Sequence, residues 1–475
     1  MAILGRCTEG ENVIELSSND RKQGTYIIGV NGTGKTVLLL NIALSDIESG
    51  DGLCFLDPHG DAIETLLTLI PESRKNDVIL FDPSDIDYPL GLNVFECPDI
   101  SDPRLVDLVC SEVVGTFKKL YQEFWGPRLE DILRHATLTV LYNPGATMLD
   151  LHLILIDEVY RKKLLKNVSD PLIHQYWRLI FPESKKEMRE WLSSAYNKIG
   201  RFMANSLIRN IVCQPQSSIN LREIMDEGKI LLVNLAKGKI GEDNSSLLGS
   251  VLVGKILIAA LSRAETEFEK RRQFHLIVDE YHSFATQSFP TLQSEARKFK
   301  IDTLVAHQYR DQLDLLNRGS TLNVGNFIFF RLTGNDSLEL SNQFDNTPPE
   351  VETERQPLIY RTSRDGVYRT GDRNEYVLIP GKQRTYNDVA NEMANRLTNL
   401  ANFECWCKLI KNGKLEEHYL KTEPLSRPTD ETISAYIKQS SIKLSKGREE
   451  AEKGIQHKIT RLSEVEPPVI FEYDN

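Results

Sequence analysis

The chain has 475 residues, 40% of them hydrophobic and 26% charged, with a formal net charge of −11 and a pI near 5.5. That length exceeds what one hydrophobic core organises, so two or three domains of ordinary soluble composition are expected. The acidity argues against a surface that coats nucleic acid as a whole, while leaving room for basic residues lining a channel in an assembly.

Seven scattered cysteines make no disulfide framework, and the one close pair, Cys405 and Cys407, reads as alternating strand residues, not half a zinc site. No uninterrupted apolar run reaches membrane-spanning length. The longest, residues 251–261, contains Lys255 and reads as a buried helix. Met1 is not followed by a basic-then-apolar leader, so a cytoplasmic location is the expectation.

In chain order, residues 25–28 read as a buried strand and residues 37–44 as a helix that stops near Gly50. Between them runs GVNGTGKT, residues 29–36, which fits Gly-x4-Gly-Lys-Thr. Glycines in such a loop let successive backbone N–H groups face a phosphate at the positive end of a helix dipole. Gly29, Val30, Asn31, Gly32, Thr33, Gly34, Lys35, Thr36 and Val37 are therefore the candidate ATP-binding set. Lys35 is expected to reach the β- and γ-phosphates and Thr36 to ligate Mg²⁺.

A second strand is expected at residues 52–57 and a third at 77–82. Between them Asp61 and Glu64 have capping-box spacing before a helix at 65–70. Strands alternating with helices imply a mainly parallel sheet with helices on both faces. From Asp102-Pro103 to about Glu227 the pattern turns helical, broken at Gly126-Pro127, Asn143-Pro144-Gly145, Asp170-Pro171 and Phe181-Pro182. The expected organisation is thus the first part of a nucleotide-binding domain (1–100), an inserted all-α domain (101–227) and the second part of the nucleotide-binding domain (228–424). The charged segment 425–475 is expected to be a flexible tail or a lone helix. Strands are expected at 229–235, 274–279, 303–307 and 326–333, a long helix at 246–272, and a closing hairpin across Asn412-Gly413.

A phosphate loop needs an acidic strand end to hold the metal and activate water. Two stretches compete: LILIDE, residues 153–158, and HLIVDE, residues 275–280. The first runs on as a helix inside the helical insert; the second lies among strands. Asp279 is therefore the expected second Mg²⁺ ligand and Glu280 the expected base for water. Gln308, ending the strand 303–307, sits where a γ-phosphate sensor belongs. Arg297, between the two strands, and Arg331 are rival candidates for an arginine finger.

Together, these segments resemble the HerA/FtsK superfamily of P-loop motors, and within it the type IV secretion coupling proteins of conjugation. The resemblance rests on GVNGTGKT, LDPHGD (56–61), HLIVDEYHSFA (275–285), EARKF (295–299), VAHQ (305–308), FFRLTGNDSLELSNQF (329–344) and the closing hairpin. The insert stretch MLDLHLILIDEVYR (148–161) also resembles that family's helical domain. It implies a RecA-like P-loop NTPase core that assembles as a homo-hexameric ring, hydrolyses ATP between subunits and moves DNA. It implies Arg297 as the finger acting in trans and Gln308 as the coupling glutamine, with a relaxase, secretion-channel or nuclease partner. Coupling proteins usually carry transmembrane helices before the phosphate loop, where this sequence has 28 residues. Any attachment to the inner membrane is then expected through a partner chain. Two further readings compete: a motor acting on protein cargo, and an assembly scaffold that binds ATP and barely turns over.

Overall fold

The computed structural model describes residues 1–8, 10, 12–182, 184–349, 353–357, 359–361, 368–370, 376–380 and 384–463. Its strands are β1 (Ala2–Cys7), β2 (Val13–Leu16), β3 (Thr25–Ile28), β4 (Gly52–Asp57), β5 (Val78–Phe81), β6 (Ile230–Asn234), β7 (Phe274–Val278), β8 (Ile301–His307), β9 (Asn326–Phe329), β10 (Thr353–Pro357), β11 (Ile359–Arg361), β12 (Tyr368–Thr370), β13 (Tyr376–Pro380), β14 (Glu404–Lys411) and β15 (Lys414–Lys421). Eleven form one sheet in the order β2-β1-β15-β14-β9-β3-β8-β7-β4-β6-β5. From β9 to β5 every pairing is parallel, and from β9 outward to β2 every pairing is antiparallel. The β14–β15 turn places Asn412 and Gly413 at φ 50° and 78°, the left-handed pair that a two-residue hairpin requires.

Alternation along the parallel strands builds two cores. Tyr26, Ile28, Cys54 and Leu56 point into one; Ile27, Leu53 and Phe55 point into the other. The second core is covered by α1 (Lys35–Glu48) and α2 (Asp61–Leu69), through buried residues such as Leu38, Ile42, Ile63 and Leu66. The first is shared with the helical region, which runs from α3 (Pro103–Leu120) to the helix Leu221–Glu227. Asp102 caps α3 by accepting from the Arg104 N–H, with Pro103 in the first turn.

Four local expectations are corrected. The helix after β4 starts at Asp61, not Thr65, and forms no capping box. Its first N–H groups are met instead by the Asp57 carboxylate, which accepts from Ala62 at 2.9 Å and Ile63 at 3.3 Å.

The long helix covers Glu242–Ser262 and stops ten residues short of the expected end. Buried Arg263 donates to the carbonyls of Phe299 and Arg272, which folds the following residues back on the sheet. Extended by its last turn to Glu265, this helix is long and apolar enough to cross a membrane by composition, yet 78% of its apolar window is buried inside the fold.

Strand β9 ends at Phe329, short of the expected Thr333; beyond it the Arg331 carbonyl accepts from Val30 N–H of the phosphate loop and Leu332 N–H turns to the Leu397 carbonyl.

The charged C-terminal segment is not a free tail over its described part. The helix Glu431–Ile442 buries Ile433 and Ile437 against the face bearing α2, and Arg448–Ser463 follows with Ala451 and Ile455 buried. Apolar residues four apart make one face even in a polar sequence. Residues 464–475 of that expected tail lie outside the described residues.

Candidate nucleotide-binding and hydrolysis site

The central strand β3 delivers the loop of residues 29–36 to the carboxyl end of the sheet, where parallel α/β folds bind ligands. Gly32 and Gly34 have φ of 74° and 109°, a backbone that turns N–H groups inward and that a side chain would resist. Thr33 Oγ1 donates to the Val30 carbonyl at 2.8 Å, closing the turn. Lys35, the first residue of α1, is buried and folds back on its own loop. Its Nζ donates to the carbonyls of Gly29 at 2.6 Å and Val30 at 3.2 Å. Burial lowers its pKa, against the pull of the Glu280 and Asp279 charges. These carbonyls hold the ammonium inside the curve of the loop.

The two segments that the sequence reading joined are adjacent. Thr36 Oγ1 donates to Asp279 Oδ2 at 3.2 Å. Asp279 and Glu280 follow β7, separated from β3 only by β8, whose last residue, His307, pairs with Ile28. Gln308 comes next, and its Nε2 donates to Glu280 Oε1 at 2.8 Å.

The rival pair lies elsewhere. Leu153 and Ile154 belong to the helix Met148–Ile156, and Asp157 caps the next helix by accepting from the Tyr160 N–H.

Electrostatics separates the two acids. Burial, then the nearby Glu280 and Asp57 charges, pushes Asp279 up to about 6. Burial alone would raise Glu280 too. The nearby His59 imidazole, the hydrogen bond from Gln308 and the Lys35 charge outweigh it and hold Glu280 at about 2. His59 Nε2 stands 3.8 Å from Glu280 Oε1 and His282 Nδ1 3.4 Å from Oε2. Glu280 itself has φ 46°, a left-handed conformation uncommon for a long side chain.

A hydroxyl 3.2 Å from a buried carboxyl, with two further carboxylates close by, fits a hard divalent cation of the magnesium type. Thr36 and Asp279 would be the pair to hold such an ion.

Neither His59 nor His282 has a role readable from sequence. The LDPHGD match flagged His59 without a role, and nothing in a single sequence tells that His282, three residues past Asp279, folds back on Glu280. Asp57, also left without a role, pins the segment that carries His59: its Oδ1 accepts from the His59 N–H at 2.8 Å. The helical region reaches the segment that carries His282, because Lys119 of α3 donates to the carbonyls of His282 at 2.6 Å and Ala285 at 2.9 Å.

The structure does not bring the two arginine candidates together. Arg331 lies beside its own phosphate loop: its carbonyl accepts from Val30 N–H at 2.9 Å, and its Nη1 donates to the Leu400 carbonyl at 3.4 Å. Arg297 is exposed on a short 3₁₀ turn, Ala296–Phe299, just before β8 begins. Because β8 runs parallel to β3, Arg297 stands at the opposite end of the sheet from residues 29–36, roughly 20 Å along a strand of that length.

A phosphate loop on the central parallel strand, abutting an acid-ended strand one place removed, defines a RecA-like P-loop NTPase. No protein-family model matches the chain. The type 4 coupling protein DotL of Legionella pneumophila is 22% identical over 353 residues, covering 62% of this chain and 44% of DotL. The chain therefore spans less than half the length of that relative. Among solved structures, the plasmid coupling protein TrwB in complex with ADP and Mg²⁺ superposes with a TM-score of 0.55 at 14% identity, covering 86% of this chain and 88% of that one. VirB4 of Thermoanaerobacter pseudethanolicus gives 0.54 at 12% identity, covering 90% and 96%. The structural matches establish a shared fold, and with the sequence match they make this chain similar to type IV coupling-protein P-loop ATPases.

Proposed function

We propose that this protein is a Mg²⁺-dependent ATPase that works as a homo-hexameric ring and moves DNA, at the cytoplasmic face of the inner membrane with a secretion-channel or relaxase partner. The observation that carries the reading is the meeting of Thr36 with Asp279 and of Glu280 with Gln308 around one loop. In this account Lys35 leaves the Gly29 and Val30 carbonyls for the β- and γ-phosphates, and the N–H groups of residues 30–36 cradle the chain of phosphates. Thr36 and Asp279 would hold magnesium, which would supply charge neutralisation on the phosphate oxygens. Glu280 orients the attacking water and accepts its proton, and Gln308 ties that carboxylate to the γ-phosphate position. A carboxylate held at about 2 is a weak base. Its basicity rises in this account as Lys35 moves to the phosphates and the His59 contact loosens, while Gln308 stays on the carboxylate.

Developing charge on the γ-phosphate still lacks an arginine. Arg297, too distant for its own loop, completes the site of a neighbouring subunit in this reading, and Arg331 stays in cis. Arg297→Ala should then lower turnover by a thousandfold or more, the scale on which arginine fingers act. The decisive form of the test mixes Arg297→Ala with Glu280→Gln. Each homogeneous ring is inactive, whereas mixed rings contain sites with both groups intact and regain part of the activity. Mixed rings that stay silent at every ratio would contradict action in trans. Specific activity that rises with protein concentration supports ring assembly; stimulation by DNA supports the cargo assignment, and a rate indifferent to DNA favours protein cargo.

A further inference from the structure

Among the described residues, four that are not glycine have positive φ: Glu280, Lys300, Phe403 and Asn412. Asn412 sits in the hairpin turn and Lys300 at the left-handed end of a 3₁₀ turn, both ordinary places for such a backbone. Glu280 belongs to the site. Phe403 has no such local reason. At φ 68° a bulky residue sits in the conformation that L side chains resist.

Its backbone is tied on both sides. The Phe403 N–H donates to the Thr33 carbonyl at 2.8 Å, and its own carbonyl accepts from Thr422 N–H at 2.8 Å and Thr422 Oγ1 at 3.1 Å. Glycine would make all three bonds without strain, so the ring must contribute something further. It does not fill the core, since the residue is 41% exposed. The ring instead rests on the phosphate loop: a Cβ on Gly34 would lie 2.8 Å from Phe403 Cδ1.

The position around the loop completes the argument. Asp279, Glu280 and Gln308 follow β7 and β8, on one side of β3; Phe403 precedes β14, beyond β9 on the other side. A triphosphate whose γ-end lies at the acids must leave its nucleoside end away from them. An aromatic face fixed there, half in solvent, suits a planar base.

We propose that Phe403 is the platform on which the base of the bound nucleotide stacks, a positioning role that rests on the nucleotide reading of the loop above. Stacking is worth enough per base to matter and is tolerant of base identity, because every base has a π-face. ATP and GTP should therefore both profit from the ring, and a bare phosphate chain should not.

The test is titration calorimetry with Mg²⁺, using ATP, GTP and inorganic tripolyphosphate on the full chain. Phe403→Gly is the informative variant: it keeps the three backbone bonds, relieves the left-handed strain and should unfold no earlier than the parent. It should bind ATP and GTP about ten- to a hundredfold more weakly, with tripolyphosphate affinity unchanged and Phe403→Tyr restoring both nucleotides. If ATP binds Phe403→Gly as tightly as the parent, the platform is refuted while the phosphate loop stands. Equal weakening of ATP and tripolyphosphate also refutes it, because the ring would then merely shape the loop. A parent chain that binds neither ligand overturns the nucleotide reading itself.

Discussion

Glu280→Gln should bind ATP as the parent does and lose turnover by at least a hundredfold, while Lys35→Ala should lose both. The asymmetry follows from geometry. Lys35 Nζ already rests on the carbonyls of Gly29 and Val30, in the mouth of the loop, so removing it takes away the charge that receives the phosphates. Glu280 does not touch the loop; its partners are Gln308, His59 and His282. Glutamine keeps the size and the polar contact with Gln308 but cannot accept a proton, and a positioned general base contributes about 10²- to 10⁴-fold. Filter binding of labelled ATP beside a phosphate-release assay reads the two effects separately. Normal turnover in either variant would remove the proposed site.

The second large effect is on stability, at the other end of the same strands. Arg21, Asp46, His275 and Asp302 are all almost fully buried. Arg21 forms a two-pronged pair with Asp46, at 2.9 Å for Nη1 to Oδ2, and lies 3.7 Å from Asp302. His275 bonds Asp302 through Nδ1 and faces Asp51 at 3.3 Å and Asp46 at 3.7 Å through Nε2. Asp302→Ala leaves two buried cations short of a partner and should cost about 3–5 kcal/mol, read as a lower urea midpoint.

The same cluster sets a pH dependence. Burial pushes the His275 imidazole down, but the Asp302 and Asp46 carboxylates outweigh it and raise it from 6.5 to about 9. Its contribution is then complete below pH 6.5 and disappears as pH rises through about 9. Stability should fall across that window in the parent, and the step should be missing in His275→Gln. A flat parent profile would contradict a charged His275.

The sheet and the loop were legible because both are written locally. An apolar strand, a glycine-rich turn and a helix in succession leave little freedom for residues 25–48, and the acid-ended strand at 275–280 differs from its rival at 153–158 only in what flanks it. Four apolar residues before Asp-Glu fit a strand or a helix. The rival stretch lies in the helix Met148–Ile156, and its aspartate serves as a cap.

The rest depends on contacts between distant segments. Nothing near Phe403 announces that its N–H meets the Thr33 carbonyl. His275 reads as a residue of a buried strand, and its three carboxylate neighbours come from two other places in the chain, Asp46 and Asp51 around the end of α1 and Asp302 in β8. The C-terminal segment misled through its polarity: the charges of the helix Glu431–Ile442 face outward, while Ile433 and Ile437 supply the contact. Arg263, which ends the long helix early, acts through backbone carbonyls that no spacing rule records.

The central claim is that one loop and one acid pair form a single hydrolytic centre, and a structure of Glu280→Gln solved with ATP and Mg²⁺ tests it most directly. The account predicts phosphates on residues 29–36, Lys35 moved off the Gly29 and Val30 carbonyls, and an ion shared by Thr36 and Asp279. Nucleotide bound elsewhere, or bound with Lys35 still on those carbonyls, would contradict it.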